Sequence, residues 1–224
     1  MKVKTLIFHF TCDGSIRGTA DKLRGFLADK FGEYTLIHQH LTDNGLLYKA
    51  PLIQYKIFNG KPVVLGINEG AEILQEIYED IDYLKIGHTE YQIKEKAIVL
   101  RTDYFGTTHL NLPYFFLTPW LALNEKNYEK YQCLGTWAER KELLEKVILP
   151  GNIISISKSL GYTVPKEHRI KANIINLREV QTKLKSTPML GFLGTFSVNF
   201  EIPDYWGIGK SVSRGFGTVK RCSL

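Results

Sequence analysis

Two strand-like runs, Leu52–Phe58 and Pro62–Ile67, are separated only by the turn around Asn59-Gly60. Both turn residues tolerate positive φ, so this stretch predicts a tight antiparallel hairpin. The flanking signals place the hairpin in a larger pattern. Val3–Phe10 is a short β-rich run, Asp13-Gly14 a turn, and Ser15 an N-cap for a helix that ends before Gly32. In that helix Ile16, Ala20, Leu23, Leu27 and Phe31 follow the 3.6-residue period, while Arg17, Lys22, Arg24 and Lys30 lie off the stripe. A solvated face is the simpler account of those cations, and an anionic partner the more informative one. After the hairpin, Glu69–Asp80 predicts a second helix, and Tyr83–Lys85 and Tyr91–Leu100 predict further strands. The order strand, helix, strand, strand, helix, strand is the ferredoxin-like pattern and spans residues 1–104.

Residues 105–224 carry a less regular set of elements. Thr108–Leu123 is aromatic-rich, and Thr136-Trp137-Ala138-Glu139 has capping-box form ahead of a helix that Pro150 is expected to stop. A short helix, Asn152–Leu160, ends at Gly161, and strand signals return at Arg169–Leu177 and Met189–Ile202. In the last run Leu190, Phe192, Phe196, Val198, Phe200 and Ile202 alternate with Thr195, Ser197, Asn199 and Glu201, so one face is expected to be buried and one polar. A final strand is expected at Thr218–Cys222. The fold class is therefore α+β, with two tandem ferredoxin-like (RRM-like) modules at 1–104 and 105–224.

The 224 residues suffice for a core without staples, and a net charge of +6 suits nucleic acid or an acidic surface without requiring either. Cys12, Cys133 and Cys222 are odd in number, widely spaced and contain no Cys-x-x-Cys pair, so neither a disulfide framework nor a zinc site is encoded. No cofactor is called for. Nothing reads as a signal peptide or a membrane span, so a cytoplasmic protein without membrane association is expected.

Residues 206–221 hold four glycines, Gly207, Gly209, Gly215 and Gly217, and four cations, Lys210, Arg214, Lys220 and Arg221. Such a segment predicts close backbone approach to an anion, RNA first, although hairpin geometry alone would also call for glycine. Neither a Walker loop nor a dinucleotide fingerprint can be read in it.

His38 and His40 are two apart in Leu36–Leu41, a run with strand character, so extended backbone would point both imidazoles to one side. One neutral and one protonated imidazole could act as base and acid near neutral pH. RNA transesterification asks for that pair: a base for the 2′-hydroxyl, an acid for the departing 5′-oxygen. A metal site lacks a third ligand at meaningful spacing, and a serine hydrolase lacks its Gly-x-Ser-x-Gly elbow; on its own, either histidine reads first as an ordinary polar strand residue. His9, His88, His109 and His168 are isolated and read as structural or surface residues.

Together the two modules, a histidine just after the first helix and the Gly207–Gly217 loop resemble the CRISPR-associated repeat-RNA endoribonucleases, the "Cas six" family, in its subtype I-B branch. Pro51–Lys56 and Gly60-Lys61-Pro62 carry the same likeness. The resemblance implies metal-independent cleavage of CRISPR precursor transcripts within their repeats, with 5′-hydroxyl and cyclic-phosphate ends. It places acid and base at His38 and His40, unassigned between them, with Tyr48, Lys49 and Lys56 as nearby phosphate stabilisers. The family often has a tyrosine in the first helix; here that helix has Phe26 and Phe31 but no tyrosine, which leaves room for the histidines to share the work. Lys210, Arg214, Lys220 and Arg221 become phosphate contacts, helped by Ser211, Ser213 and the loop amides. Arg17 and Arg24 join the RNA-facing set, and Tyr55 or Phe58 are options for base stacking. CRISPR repeat RNA is the implied partner, with a homodimer and other CRISPR-associated subunits left open. Two rivals stand beside this reading: a non-catalytic RNA-binding subunit of a CRISPR complex, and a ferredoxin-like small-molecule enzyme or sensor.

Overall fold

The predicted hairpin forms. Strands β2 (Ile53–Phe58) and β3 (Lys61–Ile67) pair antiparallel with Phe58 opposite Lys61, and Asn59 and Gly60 turn at φ 49° and 75°. This computed structural model describes residues 1–38 and 50–222, His38 by its backbone only. The chain divides into two compact units, Lys2–Asp103 with Ser213–Gly215, and Met1 with Tyr104–Val212 and the segment from Phe216 onward.

In the first unit the elements run β1 (Lys2–Cys12), α1 (Ala20–Lys30), a one-turn α2 (Thr35–His38), β2, β3, α3 (Glu69–Ile77), β4 (Tyr83–Ile86) and β5 (Thr89–Tyr104). The sheet order is β2-β3-β1-β5-β4. β5 thus takes the fourth ferredoxin position beside β1, and β4 hangs on its outer edge. Leu6, Phe8 and Phe10 of β1, Leu23 and Leu27 of α1, Tyr55 of β2 and Leu74 of α3 form a buried core. Burial of each large apolar side chain contributes about 1.5–3 kcal/mol.

Helix α1 begins at Ala20, with Thr19 and not Ser15 at its N-cap. The Ile16 N–H donates to the Gly60 carbonyl at 2.9 Å and the Arg17 N–H to the Tyr91 hydroxyl at 3.1 Å, which holds the segment before Thr19 against the sheet. Arg17 accordingly sits in a loop and not on a helix face.

The second unit runs β6 (Gly106–Phe116), α4 (Glu125–Cys133), α5 (Trp137–Leu143), a π-helical turn (Leu144–Ile148), α6 (Leu149–Ser159), β7 (Ala172–Leu184), β8 (Thr187–Glu201) and β9 (Val219–Arg221). Its sheet order, β7-β8-β6-β9, is again the ferredoxin order. The Gly-rich segment stands where that fold would place its second helix. The Thr136/Glu139 capping box is present. Pro150 does not stop the helix, because it falls in the first turn after the π-helical register change. There its missing N–H interrupts no regular ladder, so the helix continues to Ser159. Phe192, Phe196, Val198 and Phe200 of β8 are buried, as the alternation requires. Among the described residues no helix is long and apolar enough to cross a membrane.

Candidate functional site

Alternation along β2 sends Ile53 and Tyr55 into the core and puts Gln54 and Lys56 on the opposite face. Register places Lys56 opposite Val63, and Val63 opposite His9 of β1, in one cross-strand row. Lys56 is fully buried, and its ammonium donates to the Gln54 Oε1 at 3.0 Å. The Gln54 amide in turn donates to the Pro51 carbonyl at 3.5 Å. No carboxylate among the described residues pairs with this ammonium, and burial alone pulls its pKa from 10.5 to about 7. A lysine brought near neutrality by burial is a functional-site candidate. His9 is also lowered, by burial first and then by the Arg101 charge.

Tyr55 is buried, so it is not the base-stacking residue the sequence suggested. Its hydroxyl donates to the Ile37 carbonyl at 3.4 Å, which ties the residue preceding His38 to the sheet. The expectation of extended backbone through Leu36–Leu41 is corrected for its first half, because Thr35–His38 is a helical turn. Ile37, 1% exposed, drives that turn by inserting into the core, and tertiary burial overrides local strand preference. The same-side argument drawn from a strand therefore lapses. His40, Tyr48 and Lys49 lie outside the described residues, as does the side chain of His38.

Arg24 of α1 lies near Arg214, since burial first and the Arg214 charge second lower its pKa. Ser213–Gly215 belongs to the same unit, and a Cβ on Gly215 would stand 2.9 Å from the Ala20 Cβ and 3.0 Å from the Tyr55 carbonyl oxygen. The Arg214 charge thus disfavours the charged form of Arg24, and positive charge accumulates on this side of the unit. Tyr55, Arg24 and Arg214 are gathered on the α1 side of β2, while the Lys56 side chain lies on the other face of the sheet. Phe58, half-buried, and Arg17, exposed in its loop, complete this unit's assigned residues.

In the second unit the loop packs on its own protein. A Cβ on Gly209 would meet the Trp120 Nε1 at 2.7 Å, and one on Gly217, at φ 64°, the Ile208 carbonyl at 2.0 Å. A Cβ on Gly207 would meet the Val212 side chain at 2.6 Å. The Gly217 N–H donates to the Pro119 carbonyl at 2.9 Å, and the Lys210 N–H to the Leu121 carbonyl at 2.9 Å. These glycines therefore have an internal packing reason, and the close approach read from the sequence is to the chain itself. Ser213 is buried, and Ser211 is a non-glycine residue at φ 60°. The cations differ in disposition. Lys210 is exposed, Lys220 lies 5.8 Å from the centre of the Tyr205 ring, and Arg221 pairs with Glu201 at 3.7 Å. Sequence reasoning missed Gln54; the signal was a second polar residue at i−2 from Lys56 in an otherwise apolar strand.

Two ferredoxin-order sheets in tandem define a double ferredoxin-like protein, and comparison with known proteins narrows it. Residues 1–103 match the Cas6b N-terminal domain and residues 106–222 the Cas6b C-terminal domain. The chain belongs to the Cas6b family. It is 40% identical to a crystal structure of Cas6b, covering 99% of this chain and 100% of that one at a TM-score of 0.89. A crystal structure of the CRISPR RNA processing endoribonuclease Cas6b is 36% identical, with 99% and 100% coverage and a TM-score of 0.77. An uncharacterized protein of Methanocaldococcus jannaschii is 42% identical over 146 residues, 65% of this chain and 97% of its own.

Proposed function

We propose that this Cas6b-family protein is a CRISPR RNA processing endoribonuclease that cuts precursor transcripts within their repeats in the cytoplasm. Cleavage proceeds without metal. A base removes the proton of the 2′-hydroxyl at the cut site, the alkoxide attacks the adjacent phosphorus, and an acid protonates the leaving 5′-oxygen. The products carry cyclic-phosphate and 5′-hydroxyl ends. His38 and His40 serve as acid and base, with Tyr48, Lys49 and Lys56 offered to the phosphate.

The observation that carries this reading on the chain's own residues is Lys56, buried with no carboxylate partner among the described residues and with its pKa drawn to about 7 by burial. A buried lysine whose pKa is drawn toward neutrality is a mark of a functional site, and it supports a role for Lys56 in the reaction. Arg24, Lys210 and Arg214 hold the RNA backbone.

A single 2′-deoxy substitution at the cut nucleotide tests the chemistry. It should abolish cleavage while leaving binding within about twofold; persistent cutting of that substrate would rule out 2′-hydroxyl attack.

A further inference from the structure

We propose that a cleft in the second unit, lined by His109, Lys166, His168, Arg169, Lys171 and Asn199, is a further RNA-backbone site, a reading that rests on the RNA-processing function above. The cleft has a volume of about 530 Å³. One wall is the start of β6, where pairing with β8 jumps from Thr107–Phe200 to Leu112–Val198. The extra residues bulge from the sheet and carry His109 and Asn111 outward. Bulges of this kind re-aim side chains and recur beside functional sites.

The other wall is the segment Pro165–Lys171 that enters β7. Asn199 of β8 fixes it from three directions: its Oδ1 accepts from the Lys171 N–H at 2.6 Å, its Nδ2 donates to the Arg169 carbonyl at 3.0 Å, and its N–H donates to the Lys171 carbonyl at 3.3 Å. The His168 N–H closes a turn on the Pro165 carbonyl at 3.0 Å. The His109 and His168 rings meet edge to face, 5.3 Å between centres, and join the two walls.

The backbone that presents these cations is thus held in place before any ligand arrives. Lys166, Arg169 and Lys171 face a single lining carboxylate, Glu167, and none of the three makes an ion pair among the described residues. The lining is polar throughout, with amide, hydroxyl and imidazole groups between the cations, which matches phosphate and sugar oxygens and not an apolar ligand. Its charged residues are exposed, so a small metabolite would stay largely in water there. A polymer backbone passing through an open, cationic cleft loses nothing by that exposure, and its phosphates gain by counterion release.

The test compares wild-type protein with K166A/R169A/K171A and with H109A/H168A, using fluorescence anisotropy of labelled repeat RNA across a salt series, with thermal unfolding as the control for fold. The triple variant should bind at least tenfold more weakly near physiological salt, and its log–log salt slope should be shallower by about 2. The double variant should bind about threefold more weakly, and 4-thiouridine RNA should crosslink to a peptide containing residues 166–171. A triple variant that keeps the wild-type affinity and slope overturns the proposal. So does saturable binding of inorganic phosphate to the cleft with the RNA slope unchanged. If wild-type protein neither binds nor cuts repeat RNA, the functional reading itself falls; if it does both while the triple variant matches it, only this cleft loses its role.

Discussion

Replacing Lys56 by methionine should stabilise the fold while damaging the enzyme. Burial draws the Lys56 pKa from 10.5 to about 7. At about 1.4 kcal/mol per pH unit, keeping this group protonated in the folded state opposes folding by about 5 kcal/mol below pH 7. The unfolded chain takes up the proton as pH falls through 10.5 and the folded chain only near 7. Between those values the unfolded state holds more protons, so wild-type stability rises with pH across that window. Methionine removes the penalty but also the 3.0 Å bond to Gln54, whose loss costs about 1–3 kcal/mol. The net expectation is a variant about 2–4 kcal/mol more stable at pH 6 and about 1–3 kcal/mol less stable above pH 10.5. Urea unfolding at the two ends of this range measures both. RNA cleavage by the same variant at pH 7 should fall by about 100-fold, the usual scale for losing one group that stabilises transition-state charge. A stability difference that does not change with pH would refute the electrostatic argument, and full activity would remove Lys56 from the site.

Further expectations follow from the loop and from Tyr55. Lys210→Ala and Arg214→Ala should each weaken repeat-RNA binding and flatten the salt slope by about 1, read from anisotropy titrations; an unchanged slope would take that residue off the RNA. Gly217→Ala should destabilise the protein by about 2–4 kcal/mol in urea unfolding, since its Cβ would fall 2.0 Å from the Ile208 carbonyl at a φ of 64°. A change under about 0.5 kcal/mol would show that packing does not demand glycine there. Tyr55→Phe removes the hydroxyl that holds the Ile37 carbonyl, so stability should drop by about 1 kcal/mol and kcat for cleavage more than KM. Equal kcat would separate Tyr55 from the positioning of the His38 segment.

Features with a strong local cause were legible in the sequence. The Asn59-Gly60 turn, the Thr136 capping box and the alternation of β8 each rest on a few neighbouring residues, and each forms. The misreadings come where distant parts of the chain decide. Nothing local tells Thr35–His38 to be helical; burial of Ile37 does. Ser15 loses its cap role because Gly60 and Tyr91 claim the adjacent backbone. Pro150 stays inside a helix because the preceding π-helical turn makes room for it. The cations and the lysine of β2 were visible as residues, but the burial of Lys56 was not, since a lysine in a strand ordinarily points to water. The glycines of the loop were read as facing a ligand, and the carbonyl and indole groups that fill the space beside them come from Pro119–Leu121 and Ile208.

Metal-free histidine catalysis on repeat RNA carries the proposed function. Single-turnover cleavage in excess EDTA by wild type, His38→Ala, His40→Ala and the double variant addresses it most directly. One cut site should survive EDTA in the wild type and disappear in the double variant while RNA binding persists. Cleavage that stops in EDTA, or that continues undiminished without both histidines, would contradict it.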